Sequence, residues 1–315
     1  MTQASTPRLL GIEIGATKLQ GVVGRGDGYV ERRVRIAADA AGGAEAILAQ
    51  VCGIVESLIA DAPAEGIGIG FGGPVNAANG VVVKSHQVEG WNDRPLRDWA
   101  QNTFDLPCRL ANDTDAATLA EATVGAGRGK SCVFYTNIGS GIGGGLTRDG
   151  HPYMGRGSAV EFGHTWGHST LLDRWDHVEY LCSGWAVAGR ARQMLEQDRS
   201  GALIELCDGD VTNIEAPMVF EAWQNGDALA TRLIDDVLET LGRSLCNVIA
   251  LLDPDIIVIG GGMALVGEPL LEAIRAAVAA HVFEPFADHY KIEPSQLGEM
   301  AVPVGALLLA GQSGG

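Results

Sequence analysis

Between residues 43 and 60, GAEAILAQVCGIVESLIA carries apolar side chains at 47, 48, 51, 54, 55, 58 and 59. That is the period of about 3.6 residues expected of a helix with one buried face. A second run, from Asp227 to Leu252, sets Ala230, Ile234, Val237, Leu241, Leu245, Val248 and Leu252 at gaps of three or four and predicts one long helix. Other stretches follow strand rules. GIGIGF and DIIVIG are short apolar runs ending in glycines, as buried strands do. RLLGIEIGATKLQGVVG reads as strand, glycine turn, strand, with YVERRVRI as a third strand. PLRDWAQNTF predicts a helix and PCRLA a strand. In RLANDTDAATLAEA, the polar step Asn112–Asp115 predicts a capped helix start.

A second cycle begins near Ser131. CVFYTNIGSG predicts a strand into a glycine turn, and IGGGLTRDGHPY a hairpin. A helical region follows from about Asp176, then the long helix, the strand DIIVIG, a helix over 265–280 and a closing helix in VPVGALLLAG. Each half thus opens on a strand–glycine–strand hairpin, with turns EIGATK and NIGSGIGGG, and continues with alternating helices and strands. The pattern predicts a structural duplication: two α/β lobes with a cleft between them, joined without a Pro- or Ser-rich tether. The expected boundaries are 1–122, with the closing helix of 300–315 packing back on that lobe, and 123–299.

Composition sharpens this picture. A chain of 315 residues with 46% hydrophobic content supports two cores, and its 44 glycines, many of them clustered, point to tight turns and backbone approaching a ligand. The formal net charge of −17 argues against nucleic acid or a long polyanion as partner. Six scattered cysteines without a C-x-x-C pair read as reduced, buried thiols. MTQASTPRLL lacks an apolar leader, and no uninterrupted apolar run reaches the roughly 18 residues of a membrane span. A soluble cytoplasmic protein is expected, with no membrane partner.

Three glycine motifs compete for the chemistry. VGAGRGKS resembles a phosphate-binding P-loop, but the first required glycine is Val124, and the stretch follows a helix where it should follow a strand. Gly68-Gly70-Gly73 and Gly139-Gly141-Gly144 both fit G-x-G-x-x-G, yet neither opens the helix that a dinucleotide pyrophosphate needs. The third reading uses the hairpin turns themselves. Gly15, the Thr17 hydroxyl and Lys18 in one turn, and Gly139, the Ser140 hydroxyl and Gly141 in the other, form backbone nests that would clamp a polyphosphate. Asp113 would then hold a carboxylate at a strand mouth, ready to take a proton. The helix start behind it favours its anion, so cap and base can be one residue. Asp115 reads as a first-turn helix acid.

These residues resemble the ROK family of sugar kinases, within the actin-like ATPase superfamily of two ribonuclease-H-like lobes. The likeness runs through LGIEIGATKLQG, GIGIGFGGPVNAANGVVVKSHQVEGW, RLANDTDAATLAEATVGAGRG, YTNIGSGIGGGLTRDGHPYMG, AVEFGHTWGH, EYLCSGWAV and DPDIIVIGGGM, in order. It implies an ATP- and Mg²⁺-dependent kinase acting on a hexose, glucokinase- or fructokinase-like, and a homodimer. By the same resemblance, Asp113 is the general base. Asn112, Gly73, Glu161, His164 and Glu179 contact the sugar. Gly15, Thr17 and Lys18 form the first phosphate motif, Gly139, Ser140 and Gly141 the second, and Gly260, Gly261 and Gly262 the adenosine motif. Repressors of the family carry an added N-terminal helix-turn-helix; the first strand here begins near Arg8, which implies a kinase.

The departures from the family pattern are specific. Glu13 stands where the family has Asp, and keeps a charge able to organise Mg²⁺ through water. His86-Gln87 replaces Pro-Asn, and Gly72 replaces Pro. The Cys-x-Cys-Gly-x-x-Gly-Cys zinc signature is missing: Thr170, Leu172 and His177 occupy its places. His164, His168 and His177 are conceivable donors in no standard spacing, so salt bridges or apolar packing around Trp166 and Trp175 are expected in place of zinc. Two other readings remain: a sugar-binding sensor or inactive kinase homologue without phosphoryl transfer, and a phosphotransferase using polyphosphate.

Overall fold

The computed structural model describes residues 7–85, 87–155 and 160–312. His86, one of the departures named above, lies outside the described residues. The chain divides into two units: residues 1–130, 145–160 and 296–315 form the first, and residues 131–144 and 161–295 the second. The expected boundary after residue 122 thus falls after Lys130, and the return to the first unit begins at Gln296. The segment 145–160, expected in the second lobe, groups with the first. The reason is close packing: a Cβ on Gly145 would lie 2.1 Å from the Thr118 hydroxyl and 2.9 Å from the Thr114 carbonyl.

The first unit is built on β1 (Arg8–Ile14), β2 (Lys18–Arg25), β3 (Val30–Ala37), α1 (Gly43–Ile59), β4 (Gly66–Phe71), the short β5 (Val75–Asn76) and β6 (Val81–Val82), α2 (Leu96–Phe104), β7 (Cys108–Asn112) and α3 (Asp113–Val124). Its main sheet runs β3-β2-β1-β4-β7. The first three strands pair antiparallel and the remainder parallel. Apolar-run strands are fully buried, whereas β3 alternates and turns Arg33 and Arg35 outward on the sheet edge. By length and composition α1 with its preceding turn could cross a membrane. Its apolar stripe, Ile47, Val51, Ile54, Val55 and Leu58, is instead part of the core of this unit.

Strand alternation assigns the two faces of this sheet. Gly21 and Ile12 pair across strands and face α1, where a Cβ on Gly21 would meet Ile54 at 2.3 Å. Gly11 and Val22 face the other way, toward the C-terminal helix (Ala301–Gly311). There the backbones nearly touch: a Cβ on Gly11 would lie 2.2 Å from the Pro303 carbonyl oxygen, and one on Gly68 1.9 Å from that of Ala306. From the helix side, a Cβ on Gly305 would lie 1.8 Å from the Ala116 carbonyl of α3. Bare backbone at these three glycines therefore seats the closing helix on β1, β4 and α3. The other end of α3 is held by the buried Glu121, whose carboxylate accepts the Ala126 amide at 2.8 Å and the Leu297 amide at 3.0 Å.

The second unit contains β8 (Cys132–Ile138), the start of β9 (Ile142–Arg148), β11 (Trp166–Ser169), β12 (Arg174–His177), α4 (Val178–Cys182), α5 (Gly184–Gln197), α6 (Ala202–Leu206), α7 (Ala216–Gln224), α8 (Ala228–Leu252), β13 (Ile256–Gly260), α9 (Glu268–His281) and β14 (Ile292–Pro294). With β10 (His151–Pro152), the sheet order is β10-β9-β8-β13-β14, and β8, β13 and β14 are parallel. The long helix is α8, capped by the Asp227 carboxylate on the Ala230 amide. The helix expected over 265–280 begins at Glu268, after a 3₁₀ turn at Gly262–Val266. The helical region expected from about Asp176 begins with α4 at Val178, directly after the hairpin β11–β12, which the sequence pattern did not mark.

A buried ion pair anchors that hairpin. Asp236 on α8 accepts the Ser169 hydroxyl at 2.6 Å, the Thr170 hydroxyl at 2.9 Å and the Leu171 amide at 2.8 Å, and pairs with Arg190 of α5. Burial alone would push the Asp236 carboxyl up, but Ser169, the Leu171 amide and Arg190 together hold it below the ordinary value of 3.8. A buried salt bridge thus lies behind the hairpin, whereas Trp166 and Trp175, around which apolar packing was the other expectation, are 61% and 66% exposed. All six cysteines are free thiols, and burial pushes that of Cys108 up to about 12.

Two stability predictions follow from this packing. Gly305→Ala should cost about 1–3 kcal/mol or more by urea unfolding, because backbone on both sides must move to admit one methyl group. Asp236→Ala should cost about 3–5 kcal/mol by leaving the buried Arg190 unpaired. The stability contributed by the depressed Asp236 carboxyl is full above 3.8 and is lost as pH falls through its lower native value. The acid limb of a wild-type stability–pH curve should therefore be shallower in the variant.

Candidate functional site

In the first unit the chemistry gathers at the carboxyl ends of β1, β4 and β7, where open α/β sheets place their ligands. The β1–β2 turn closes through the Gly15 amide donating to the Lys18 carbonyl at 3.1 Å, which leaves Thr17 exposed at the tip. Beside it, the Gly72 amide donates to the Ile14 carbonyl at 2.9 Å and draws the loop after β4 across the end of β1. A Cβ on Gly72 would stand 3.5 Å from Asp113 Oδ2 and 3.6 Å from Gly15 Cα. The half-buried Asp113 carboxylate and the first glycine turn are thus neighbours, separated by a residue with no side chain.

The helix cap and the proposed base are adjacent residues, not one. Asn112 is the N-cap of α3: its Oδ1 accepts the Thr114 amide at 2.8 Å, and its Nδ2 donates to the Gly73 carbonyl at 2.9 Å. Asp113 is the first helical residue, and its Oδ1 also accepts the Thr114 amide, at 2.8 Å. Asn112 therefore fixes Gly73, the other residue expected at the sugar from this unit. Asp115 is buried in the first turn of α3.

Glu13 lies on β1, buried, with its two oxygens divided between neighbours. Lys18 Nζ pairs with Oε1 at 3.3 Å, and Gln20 Nε2 donates to Oε2 at 2.5 Å. Burial raises the Glu13 carboxyl above its ordinary value, and Lys18 and Gln20 pull it part of the way back. Gln20 is itself held by Arg33, 2.8 Å from Arg33 Nε to Oε1, and by the Glu299 carbonyl at 3.0 Å. The Lys18 ammonium, expected at a phosphate, is thus tied to Glu13.

In the second unit the matching turn is tighter. The Gly139 amide donates to the Gly141 carbonyl at 2.9 Å, and the Gly184 amide at the start of α5 donates to the Gly139 carbonyl at 2.7 Å, leaving Ser140 exposed. Glu179 binds this turn to the proposed sugar residues: its Oε2 accepts the Ile142 amide at 2.8 Å. Gly163, between Glu161 and His164, packs so closely that a Cβ there would lie 2.0 Å from the Ile142 carbonyl and 3.3 Å from Glu179 Cβ. The Glu161 carbonyl accepts the His164 amide at 3.0 Å, which folds 162–164 into one 3₁₀ turn. Val160, directly before it, has φ +62°, a strained value for a β-branched residue.

Gly260–Gly262, expected as the adenosine motif, begin on the neighbouring parallel strand, with Gly260 of β13 opposite Asn137 of β8. A Cβ on Gly261, φ +82°, would meet the Ile138 backbone at 2.6 Å, and one on Gly139 would lie 3.5 Å from the Gly262 amide. Gly139–Gly141 and Gly260–Gly262 therefore form one continuous floor of bare backbone, with Tyr135 beneath Gly260. Gly72, Gly163 and Gly184 were not singled out from the sequence as site residues. Their signal was present in the pairs Gly72-Gly73 and Ser183-Gly184, but only contacts with distant segments give them a role.

Among the described residues no group of three or more His, Cys, Asp or Glu could hold a metal ion. His164 instead packs against His177, ring centroids 5.3 Å apart, and His177 against Trp166 at 5.0 Å.

Comparison with known proteins identifies the family. The ROK family pattern matches residues 9–313. A glucokinase from Thermotoga maritima is 28% identical over 304 residues, covering 95% of this chain and 96% of its own. A putative xylose repressor from a Caldicellulosiruptor species is 27% identical over 317 residues, covering 96% of this chain and 77% of its own. The solved ROK family glucokinase of Streptomyces griseus, in complex with glucose and AMPPNP, matches with a TM-score of 0.82 at 29% identity, over 97% of this chain and all of the other. The family match, from the first strand to the closing helix and over both five-stranded sheets, establishes that the chain belongs to the ROK family.

Proposed function

We propose that the chain is an ATP-dependent sugar kinase that transfers the γ-phosphoryl group of ATP to a hydroxyl of a hexose, with Asp113 as general base. The observation that carries this reading is the placement of the Asp113 carboxylate beside the Gly15 turn, across the bare backbone of Gly72. A sugar hydroxyl is a poor nucleophile at neutral pH. A carboxylate within hydrogen-bond reach accepts its proton as the new O–P bond forms, typically worth ~10²–10⁴-fold. The α3 N-terminus behind Asp113 favours the anion that this role requires.

The remaining residues take positioning roles in the same reading. Glu161, His164 and Glu179 offer paired acceptors and donors to sugar hydroxyls, and Asn112 fixes the Gly73 loop against the ring. Gly15, Thr17 and Lys18, with Gly139, Ser140 and Gly141, present amides and hydroxyls to the phosphates, whose transfer depends mainly on orientation and charge stabilisation. Gly260 and Gly261 lie close against β8, and Gly262, which faces open space, is the position that leaves room for the nucleoside. Mg²⁺, when bound with ATP, neutralises phosphate charge. It needs only one or two carboxylates besides phosphate oxygens and water. Both Glu13 oxygens are engaged by neighbours, which suits an outer role through water. The nucleotide analogue and glucose held by the Streptomyces griseus relative support the choice of ATP and a hexose. A cytoplasmic homodimer acting on a small sugar, without nucleic acid or membrane, completes the proposal.

A sugar sensor without phosphoryl transfer is the second reading, favoured by the repressor relative and by the buried, fully engaged Glu13. An ADP-release assay over hexoses and N-acetylated hexosamines separates the two. Turnover with one or more sugars is expected; sugar binding with no ADP release would select the sensor. Asp113→Asn should leave sugar affinity within a few-fold and lower kcat by about 10²-fold or more. Near-normal kcat in that variant would remove Asp113 from the mechanism.

A further inference from the structure

We propose that the outward face of the β11–β12 hairpin and the start of α5 form a second carbohydrate subsite, continuous with Glu161, His164 and Glu179. The preferred acceptor would then be a disaccharide or other glycoside. This inference rests on the reading of those three residues as the sugar grip.

The hairpin register supplies the first observation. Trp166 lies opposite His177, and His168 opposite Trp175, so alternation puts all four rings on one face. The other face is the packed one: a Cβ on Gly167 would lie 2.9 Å from the Thr240 methyl, and the Ser169 hydroxyl bonds the buried Asp236. The aromatic face is open. Trp166 is 61% exposed and Trp175 66%, and the surface continues through Tyr180 at 42% and Trp185 at 52%. Three of the six tryptophans of the chain thus stand more than half exposed between residues 166 and 185, although tryptophan is a highly buried residue on average. Beneath this face, Asp236 ties the hairpin to α8 through Ser169, Thr170 and the Leu171 amide.

Continuity with the sugar grip is the second observation. His164 and His177 stand 5.3 Å apart, His177 and Tyr180 5.2 Å, and Tyr180 and Trp185 5.6 Å, an unbroken run of rings leading from the grip. Glu179, which holds the Ile142 amide, sits between His177 and Tyr180 in sequence.

The chemistry selects the occupant. Flat indole and phenol faces present apolar surface to the C–H face of a pyranose, and the interleaved imidazole, indole N–H and phenol groups meet its hydroxyls. A phosphorylated or nucleic-acid partner would find little cationic charge there: the nearby acids Glu161, Asp173, Asp176 and Glu179 are accompanied by Arg174, already paired with Asp176. A neutral, polyhydroxylated second ring fits both the rings and the charge.

The test measures ADP release and tryptophan fluorescence quenching for the full chain with glucose, mannose, maltose, cellobiose and sucrose, in the wild type and in Trp166→Ala, Trp166→Phe and Trp185→Ala. At least one disaccharide should show a lower KM than its parent hexose. The two alanine variants should raise the KM for that disaccharide about tenfold relative to the hexose, and Trp166→Phe should restore most of the preference. The subsite is overturned if every disaccharide binds more weakly than its hexose, or if the alanine variants shift both KM values equally. It is also overturned if Trp166→Ala changes only the oligomeric state, which would make this face a contact between copies of the chain. Hexose turnover without disaccharide preference would sink the subsite alone, whereas absence of both binding and turnover for all five sugars would sink the sugar-grip reading as well.

Discussion

Backbone laid directly on backbone is the constraint on which the first unit depends. The C-terminal helix can reach β1, β4 and α3 only because Gly11, Gly68 and Gly305 present no side chain. A methyl group at any of the three would displace that helix, and with it α3. The consequence reaches the site, because α3 begins with Asp113 and the helix seat at Ala116 lies one turn further on. Glycine here is a packing residue first. The same lack of side chain at Gly72 then leaves a carboxylate and a turn of amides on either side of bare backbone.

Carboxylates used as clamps on backbone amides are the second organising device. Glu121 holds the amides of Ala126 and Leu297, Asp236 holds that of Leu171, and Glu179 holds that of Ile142. A chain of net charge −17 thus spends some of its acids internally, each matched to donors that would otherwise be costly to bury. Glu179 joins two candidate parts of the site: its bond to Ile142 couples the second glycine turn to the segment carrying Glu161 and His164, so a substitution there would also loosen that turn.

Where the cysteine signature is missing, the chain is anchored by a buried ion pair. A loop without regular hydrogen bonding needs an anchor. Here the loop is a four-by-four residue hairpin, and its anchor is Asp236 with Arg190, Ser169 and Thr170. Both charged partners are buried, so their value lies in fixing one geometry more than in net stabilisation. With the hairpin's inner face fixed this way, its outer face is free to carry rings that no core requires.

The sequence by itself determined what depends on near neighbours. Periodicity located α1 and α8 to within a residue or two, apolar runs ending in glycine located β4 and β13, and the step at Asn112 located the start of α3. The repeated hairpin turns also disclosed the two-part architecture, and the motifs named the family. Tertiary structure alone decided which residue caps α3, where Gly145 packs, that Glu179 binds Ile142, and that a hairpin stands between His164 and α4. The hairpin has four-residue strands, too short for alternation to be told from chance, and its stability comes from Asp236, some sixty residues further along the chain. Local pattern records which face of an element is buried. It holds no record of which distant amide, carboxylate or bare backbone will be there to meet that face.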